Sequence, residues 1–125
     1  MPIPHILIVD DEFGLAEMLG EMLTTMQYQV DIAVNGKLAL ASVRQSRPDA
    51  IFLDVMMPVM SGPEMLAALR DDENYRAIPV VLMSASVADE MLAELRPLVT
   101  YFLQKPFTFE QLNQALSKCF PKGPR

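Results

Sequence analysis

Five short apolar runs alternate with helix-length amphipathic stretches, and this alternation constrains the fold more than any other feature of the chain. The runs are His5–Val9, Gln29–Ala33, Ala50–Leu53, Pro79–Met83 and Tyr101–Leu103. The first, third and fourth are almost continuously apolar, the pattern of parallel strands covered by helices on both faces. The second alternates, with Asp31 interrupting it, and reads as an edge strand.

The stretches between the runs read as helices from periodicity and end signals. Across Phe13–Met26, Met18, Met22 and Met26 recur every four residues beside Leu15, Leu19 and Leu23. Asn35 is placed to cap a helix over Gly36–Gln45, with Leu38, Ala39, Ala41 and Val43 as its apolar surface. Ser61-Gly-Pro-Glu64 and Thr108-Phe-Glu-Gln111 both have capping-box spacing and open the third and the last helix. A short helix over Val87–Leu95 is stopped by Pro97, and Pro121 ends the last one. Strand then helix, repeated five times with short connections, makes a doubly wound α/β sandwich on a parallel sheet.

A chain of 125 residues has room for one such domain, 1–125, with its core over about 4–120 and residues 121–125 as a tail or linker stub. The expectation is that this chain carries no separate output domain after the last helix, whether it is a stand-alone domain or an excised piece of a longer protein. Formal net charge is −6 and the Lys and Arg residues are scattered singly, which argues against a nucleic-acid surface. The lone Cys119 forms no intramolecular disulfide. The N-terminus lacks the charged segment and long apolar run of a signal peptide, and no apolar run is long enough to span a bilayer. The expectation is a cytoplasmic domain without membrane or nucleic-acid contact.

Ligands of open parallel sheets gather beyond the carboxyl ends of the strands, so the residues following each run matter most. Asp10, Asp11 and Glu12 follow the first run, Asp54 the third, Ser84 the fourth, and Lys105-Pro106 comes soon after the fifth. If the first and third strands are neighbours, three carboxylates crowd one end of the sheet. At about 4 Å and an effective dielectric near 20, each like-charge contact costs roughly 4 kcal/mol. Either some of these acids stay protonated or a cation sits among them. Hard oxygen ligands with open positions suit Mg²⁺. Lys105 adds a second positive charge and Ser84 a hydroxyl donor, and the set suits phosphoryl transfer to a carboxylate nucleophile. Singly, each residue has a plain structural reading: helix-start acids, a turn aspartate, a local cap, a surface lysine. Their convergence at one end of one sheet favours the chemical reading.

Ile8-Val-Asp-Asp-Glu12, Leu53-Asp-Val-Met-Met-Pro58, Gly62, Ser84-Ala85 and Lys105-Pro106-Phe107, in this order and approximate spacing, resemble the receiver domains of response regulators. The similarity covers Pro4 to Phe120. It implies a flavodoxin-like fold, (βα)5, with strand order 2-1-3-4-5. It implies Asp54 as phosphoacceptor, with Asp10, Asp11, Asp54 and the backbone carbonyl of Met56 around Mg²⁺ or Mn²⁺. Lys105 and Ser84 would hold the phosphoryl oxygens, Phe102 would be the switch aromatic, and the Lys105–Pro106 bond would be cis. The resemblance implies a two-component or phosphorelay switch rather than an enzyme with an external substrate. Its chemistry would be its own phosphorylation and dephosphorylation. A histidine kinase or histidine phosphotransfer protein would dock near Phe13, Gly14, Leu15 and Glu17. A downstream protein would read the face made by the fourth helix, the fifth strand and the last helix.

The chain departs from the family pattern in places. Ser84 stands for the commoner Thr and Phe102 for Tyr. The stretch Arg96-Pro-Leu-Val-Thr100 replaces the usual small pair before the fifth strand, and Met56 and Ser86 are uncharged where the family tunes dephosphorylation. Rival readings fail locally. Three acids after the first strand would repel the phosphates of a dinucleotide. Met56 stands where aspartyl phosphohydrolases place a second acid. The intact acid, hydroxyl and lysine set counts against a scaffold that signals without phosphate. The remaining features read as structural. Met18, Met22, Met26, Met65 and Met83 are core filler, Met56, Met57 and Met60 lie beside Asp54 and either pack there or contact a docking partner, and His5 has no ligand partner nearby. Cys119 is inert, and Asp89-Glu90 are solvated acids at a helix start.

Overall fold

The computed structural model describes residues 3–57, 59–85 and 93–122. Strands β1 (His5–Val9), β2 (Gln29–Ala33), β3 (Ala50–Asp54), β4 (Val80–Ser84) and β5 (Tyr101–Gln104) form one parallel sheet of order β2-β1-β3-β4-β5. Helices α1 (Phe13–Thr25), α2 (Gly36–Gln45), α3 (Gly62–Asp71) and α4 (Phe109–Cys119) cover its two faces. The expected helix over Val87–Leu95, with Asp89-Glu90 and the neighbouring Ser86, lies mostly outside the described residues. Residues 93–95 are helical and run into a 3₁₀ turn at Arg96–Leu98.

Every residue of β1, β3 and β4 is buried, whereas β2 and β5 at the edges are partly exposed. Side chains of the central strands alternate between two cores, as the pleat requires. Leu7, Val9, Ile51, Leu53, Val80 and Leu82 meet α2 and α3. Ile6, Ile8, Phe52, Val81 and Met83 meet α1 and α4.

The helix starts use the signals in the sequence. Asn35 accepts from the Leu38 N–H, and Ser61 with Glu64 and Thr108 with Gln111 each make a reciprocal capping box. The buried stripes differ from expectation in two helices. In α1 the stripe runs through Ala16, Leu19, Gly20 and Leu23. Met18 lies about 100° round from Leu19 and is 59% exposed, so it is not core. Met22 and Met26 are half-buried, and Met65 and Met83 are core. In α2, Ala39, Leu40 and Val43 are buried while Leu38 and Ala41 face solvent. His5 also has a partner that the sequence did not suggest. Its Nε2 lies 2.6 Å from Asp31 Oδ2 across the β1–β2 pair, and its backbone N–H donates to Asp49 Oδ2 at 2.7 Å. Among the described residues no helix is long and apolar enough to cross a membrane.

One contact fixes the end of β3. The Gly62 N–H donates to the Val55 carbonyl at 3.0 Å, drawing the start of α3 against the strand end. A Cβ at position 62 would lie 2.4 Å from the Asp54 carbonyl oxygen and 2.9 Å from Val55 Cα. Both obstacles are backbone, so no side chain can yield. Gly62→Ala should therefore destabilise the fold by about 1–3 kcal/mol, read as a lower urea midpoint with unchanged slope.

Candidate functional site

The parallel register brings the strand ends together. Val9 pairs with Leu53, Asp54 with Met83, and Ser84 with Gln104, so the chain leaves β1, β3, β4 and β5 at one edge of the sheet. Asp54 and Ser84 are the last residues of their strands rather than the first of their loops, which fixes their backbones in the sheet. Asp10 follows β1 directly, held by its N–H donating to the Ala33 carbonyl at 3.0 Å. Asp10, Asp54 and Ser84 are buried, while Asp11 is exposed.

Lys105 enters from beyond β5. Its N–H donates to the Ser84 carbonyl at 2.8 Å, and its peptide bond to Pro106 is cis. Its Nζ donates to Asp10 Oδ2 at 2.6 Å and lies 3.5 Å from Asp54 Oδ1. The other Asp10 oxygen accepts the Glu12 N–H at 3.0 Å. One carboxylate oxygen from each of Asp10, Asp11 and Asp54 lies within 4.8 Å of the other two. The expected acids and the lysine are thus in one cluster, with Ser84 at the adjoining strand end.

Two further expected residues are not among these clustered side chains. Met56 is in the loop after β3 with its side chain 72% exposed, so it does not pack, whereas Met57 and Met60 rest on the core. Phe102 pairs with Leu82, two positions below the Ser84–Gln104 pair. It is half-buried against the core that α2 and α3 cover, and the Arg96 guanidinium carbon lies 5.6 Å from its ring centroid. Neither the preference of Lys105 for Asp10 nor the Arg96 contact had a signal in the sequence, since both depend on side-chain placement.

The charges do not balance: three carboxylates face one ammonium. Burial pushes the Asp54 carboxyl up to about 6; Lys105 opposes this, and the charges of Asp10 and Asp11 add to it. Burial acts to lower the Lys105 pKa, but the Asp10 hydrogen bond and the charges of Asp54 and Asp10 outweigh it, so the ammonium is held above its ordinary value. The lysine stays charged and a negative excess remains. A divalent cation with a taste for oxygen fits this donor set, because it relieves the repulsion that one lysine leaves. Beside the cluster runs an apolar groove of about 420 Å³, whose lining includes Leu15, Met18, Met22, Met83, Lys105 and Phe107.

A family model described as response regulator receiver domain matches residues 6–117. The chain belongs to the response-regulator receiver family. It is 38% identical over 119 residues to sporulation initiation phosphotransferase F of Bacillus subtilis, covering 93% of each chain. Three longer curated relatives are 36% or 38% identical over 110 residues, and the chain spans 46% of their length. Among solved structures, the chemotaxis protein CheY4 of Vibrio cholerae matches with a TM-score of 0.88 and 32% identity, over 95% of this chain and 100% of that one. The receiver domain of the sensor histidine kinase PA1611 of Pseudomonas aeruginosa, which has a magnesium ion coordinated in its active site cleft, matches with a TM-score of 0.84 and 28% identity. The overlap is 95% of this chain and 98% of that one.

In this receiver the raised Asp54 pKa has a consequence for stability. The folded chain holds a proton on Asp54 that the unfolded chain has lost between about pH 4 and 6, so stability falls as pH rises through that window. Asp54→Asn removes the effect. Without added metal it should be more stable than the parent at pH 7 by about 1–2 kcal/mol, allowing for solvent screening. In paired urea melts the gain should vanish below about pH 4.

Proposed function

We propose that this receiver is a phosphorylation-dependent switch of a two-component system or phosphorelay, with Asp54 accepting a phosphoryl group from a phosphohistidine donor. The observation that carries this reading is the Asp54 carboxylate, buried at a strand end, 3.5 Å from the Lys105 ammonium and clustered with Asp10 and Asp11. An Asp54 oxygen attacks phosphorus, the P–N bond to the donor imidazole breaks, and an acyl phosphate forms on Asp54. The ionised carboxylate is the attacking form, and at neutral pH Asp54 lies above its raised pKa of about 6.

Asp10, Asp11, Asp54 and the Met56 carbonyl would hold Mg²⁺ or Mn²⁺, which neutralises charge on the phosphoryl oxygens when bound. Lys105 is bound to Asp10 at rest, and its ammonium turns toward the new phosphoryl oxygens. Ser84 offers its hydroxyl to the same oxygens. Movement of that hydroxyl vacates space at the end of β4, and Phe102 turns into it. The phosphoryl group biases an equilibrium that exists without it.

The donor's docking surface is apolar. Phe13, Leu15 and Met18 on α1 and Met56 and Val59 after β3 are exposed, and Leu15 and Met18 line the groove beside the cluster. A histidine kinase or phosphotransfer protein that covered them would bring its imidazole to Asp54. On this reading residues 1–125 are a single cytoplasmic receiver domain. Its catalysis is confined to its own phosphorylation and dephosphorylation, and a protein target reads its state. The phosphotransferase named among the relatives and the magnesium-bound PA1611 receiver support it.

Intact mass after incubation with acetyl phosphate tests the assignment. One phosphoryl group should be gained when Mg²⁺ is present, and none by Asp54→Asn. Stoichiometric labelling of Asp54→Asn would overturn the choice of residue. Lys105→Ala should still be labelled, but the backbone NMR shifts of β5 should stay at their resting positions.

A further inference from the structure

The stretch before β5 that departs from the family pattern is anchored from outside. Arg70, half-buried in the last turn of α3, donates Nε to the Leu98 carbonyl at 2.9 Å. Its Nη1 donates to the carbonyls of Arg76 and Ile78, each at 2.9 Å. The single guanidinium therefore ties α3 to the 3₁₀ turn at Arg96–Leu98 and to the approach to β4. The next residues are fixed as well: the Thr100 N–H donates to the Val80 carbonyl at 2.8 Å, and the Thr100 hydroxyl accepts the Val80 N–H at 3.2 Å. Arg96 thus extends from a turn held at Leu98 and again, just after it, at Thr100.

The Arg96 guanidinium faces Phe102 at 5.6 Å from the ring centroid, within the reach of a cation–π contact. Among the described residues it forms no ion pair. We infer that Arg96 is a positioning residue of the switch: its guanidinium holds the Phe102 ring in the resting placement and so sets the fraction of unphosphorylated chains in which the ring is turned in. The inference rests on the reading of Phe102 as the switch aromatic.

Register gives the direction of the effect. Thr100 joins the sheet opposite Val80, at the start of β4, and Arg96 lies on the turn before it. Ser84 ends β4 and pairs with Gln104. Arg96 and Ser84 therefore lie toward opposite ends of the β4–β5 pair, with Phe102 between them. A ring that moves toward Ser84 leaves the guanidinium behind, and the contact is lost in the activated arrangement. An interaction made in one state alone shifts the equilibrium by its whole strength. For an exposed cation–π contact this is about two- to five-fold in the population ratio.

The test is a beryllofluoride titration with Mg²⁺, followed by ring resonances of ¹³C-labelled phenylalanine, on the parent chain and on Arg96→Met, Arg96→Lys and Arg96→Ala. Arg96→Met keeps much of the stem and removes the charge. It should lower the beryllofluoride midpoint about two- to five-fold and move the resting Phe102 resonances toward their bound positions. Arg96→Ala should match it and Arg96→Lys should fall between. An unchanged midpoint in Arg96→Met overturns the inference, as does a shift confined to Arg96→Ala, which would make the stem and not the charge responsible. If the Phe102 resonances of the parent chain do not respond to beryllofluoride while other resonances near Asp54 do, Phe102 is not the switch aromatic and Arg96 has no such role. If nothing near Asp54 responds, the proposed function fails with it.

Discussion

Three clustered carboxylates, two of them beside one ammonium at the carboxyl edge of a buried sheet, are the constraint on which the rest of this receiver depends. Burial first, and the charges of Asp10 and Asp11 after it, raise the pKa of Asp54 and make its ionised form costly. The cluster persists because the acids are carried by strand ends that the two cores hold in register. Lys105 offsets part of the repulsion and chooses Asp10, leaving Asp54 the less neutralised of the two. The carboxylate given the nucleophile's role is therefore less well compensated by Lys105 at rest than Asp10.

The legible part of this architecture was what depends on pattern. Continuous apolar runs gave the central strands, and caps at Asn35, Ser61 and Thr108 gave helix starts that the structure reproduces. The position of Asp10, Asp54, Ser84 and Lys105 at or just after the ends of the first, third, fourth and fifth strands sufficed to collect them at one end of the sheet. The strand order itself came through family resemblance, because nothing in a run of Val and Ile says which neighbour it pairs with.

What escaped the sequence was what depends on angle and reach. A four-residue methionine repeat looks like a stripe but drifts round the helix, so Met18 faces outward while Leu19 and Leu23 face in. The His5–Asp31 contact joins residues 26 apart through a strand pairing whose register the sequence does not state. Arg70 was invisible because its partners are backbone carbonyls, which every residue has. The unusual Arg96–Thr100 segment was conspicuous as a departure, but only the fold showed that Arg70 clamps it and Phe102 meets it.

The sheet also separates two parts of the molecule. The groove beside Asp54 opens on the α1 side and takes Met83 as part of its floor, whereas Phe102 rests on the opposite core with Leu82. Along β4, neighbouring residues thus face opposite sides of the sheet, and on the proposed reading one side meets the donor and the other carries the readout. On the proposed reading, a substitution in the Met18–Met22 surface would alter which donor is accepted without disturbing the packing around Phe102. Recognition and response are free to diversify separately in such a fold, joined at the few backbone positions where the strands end.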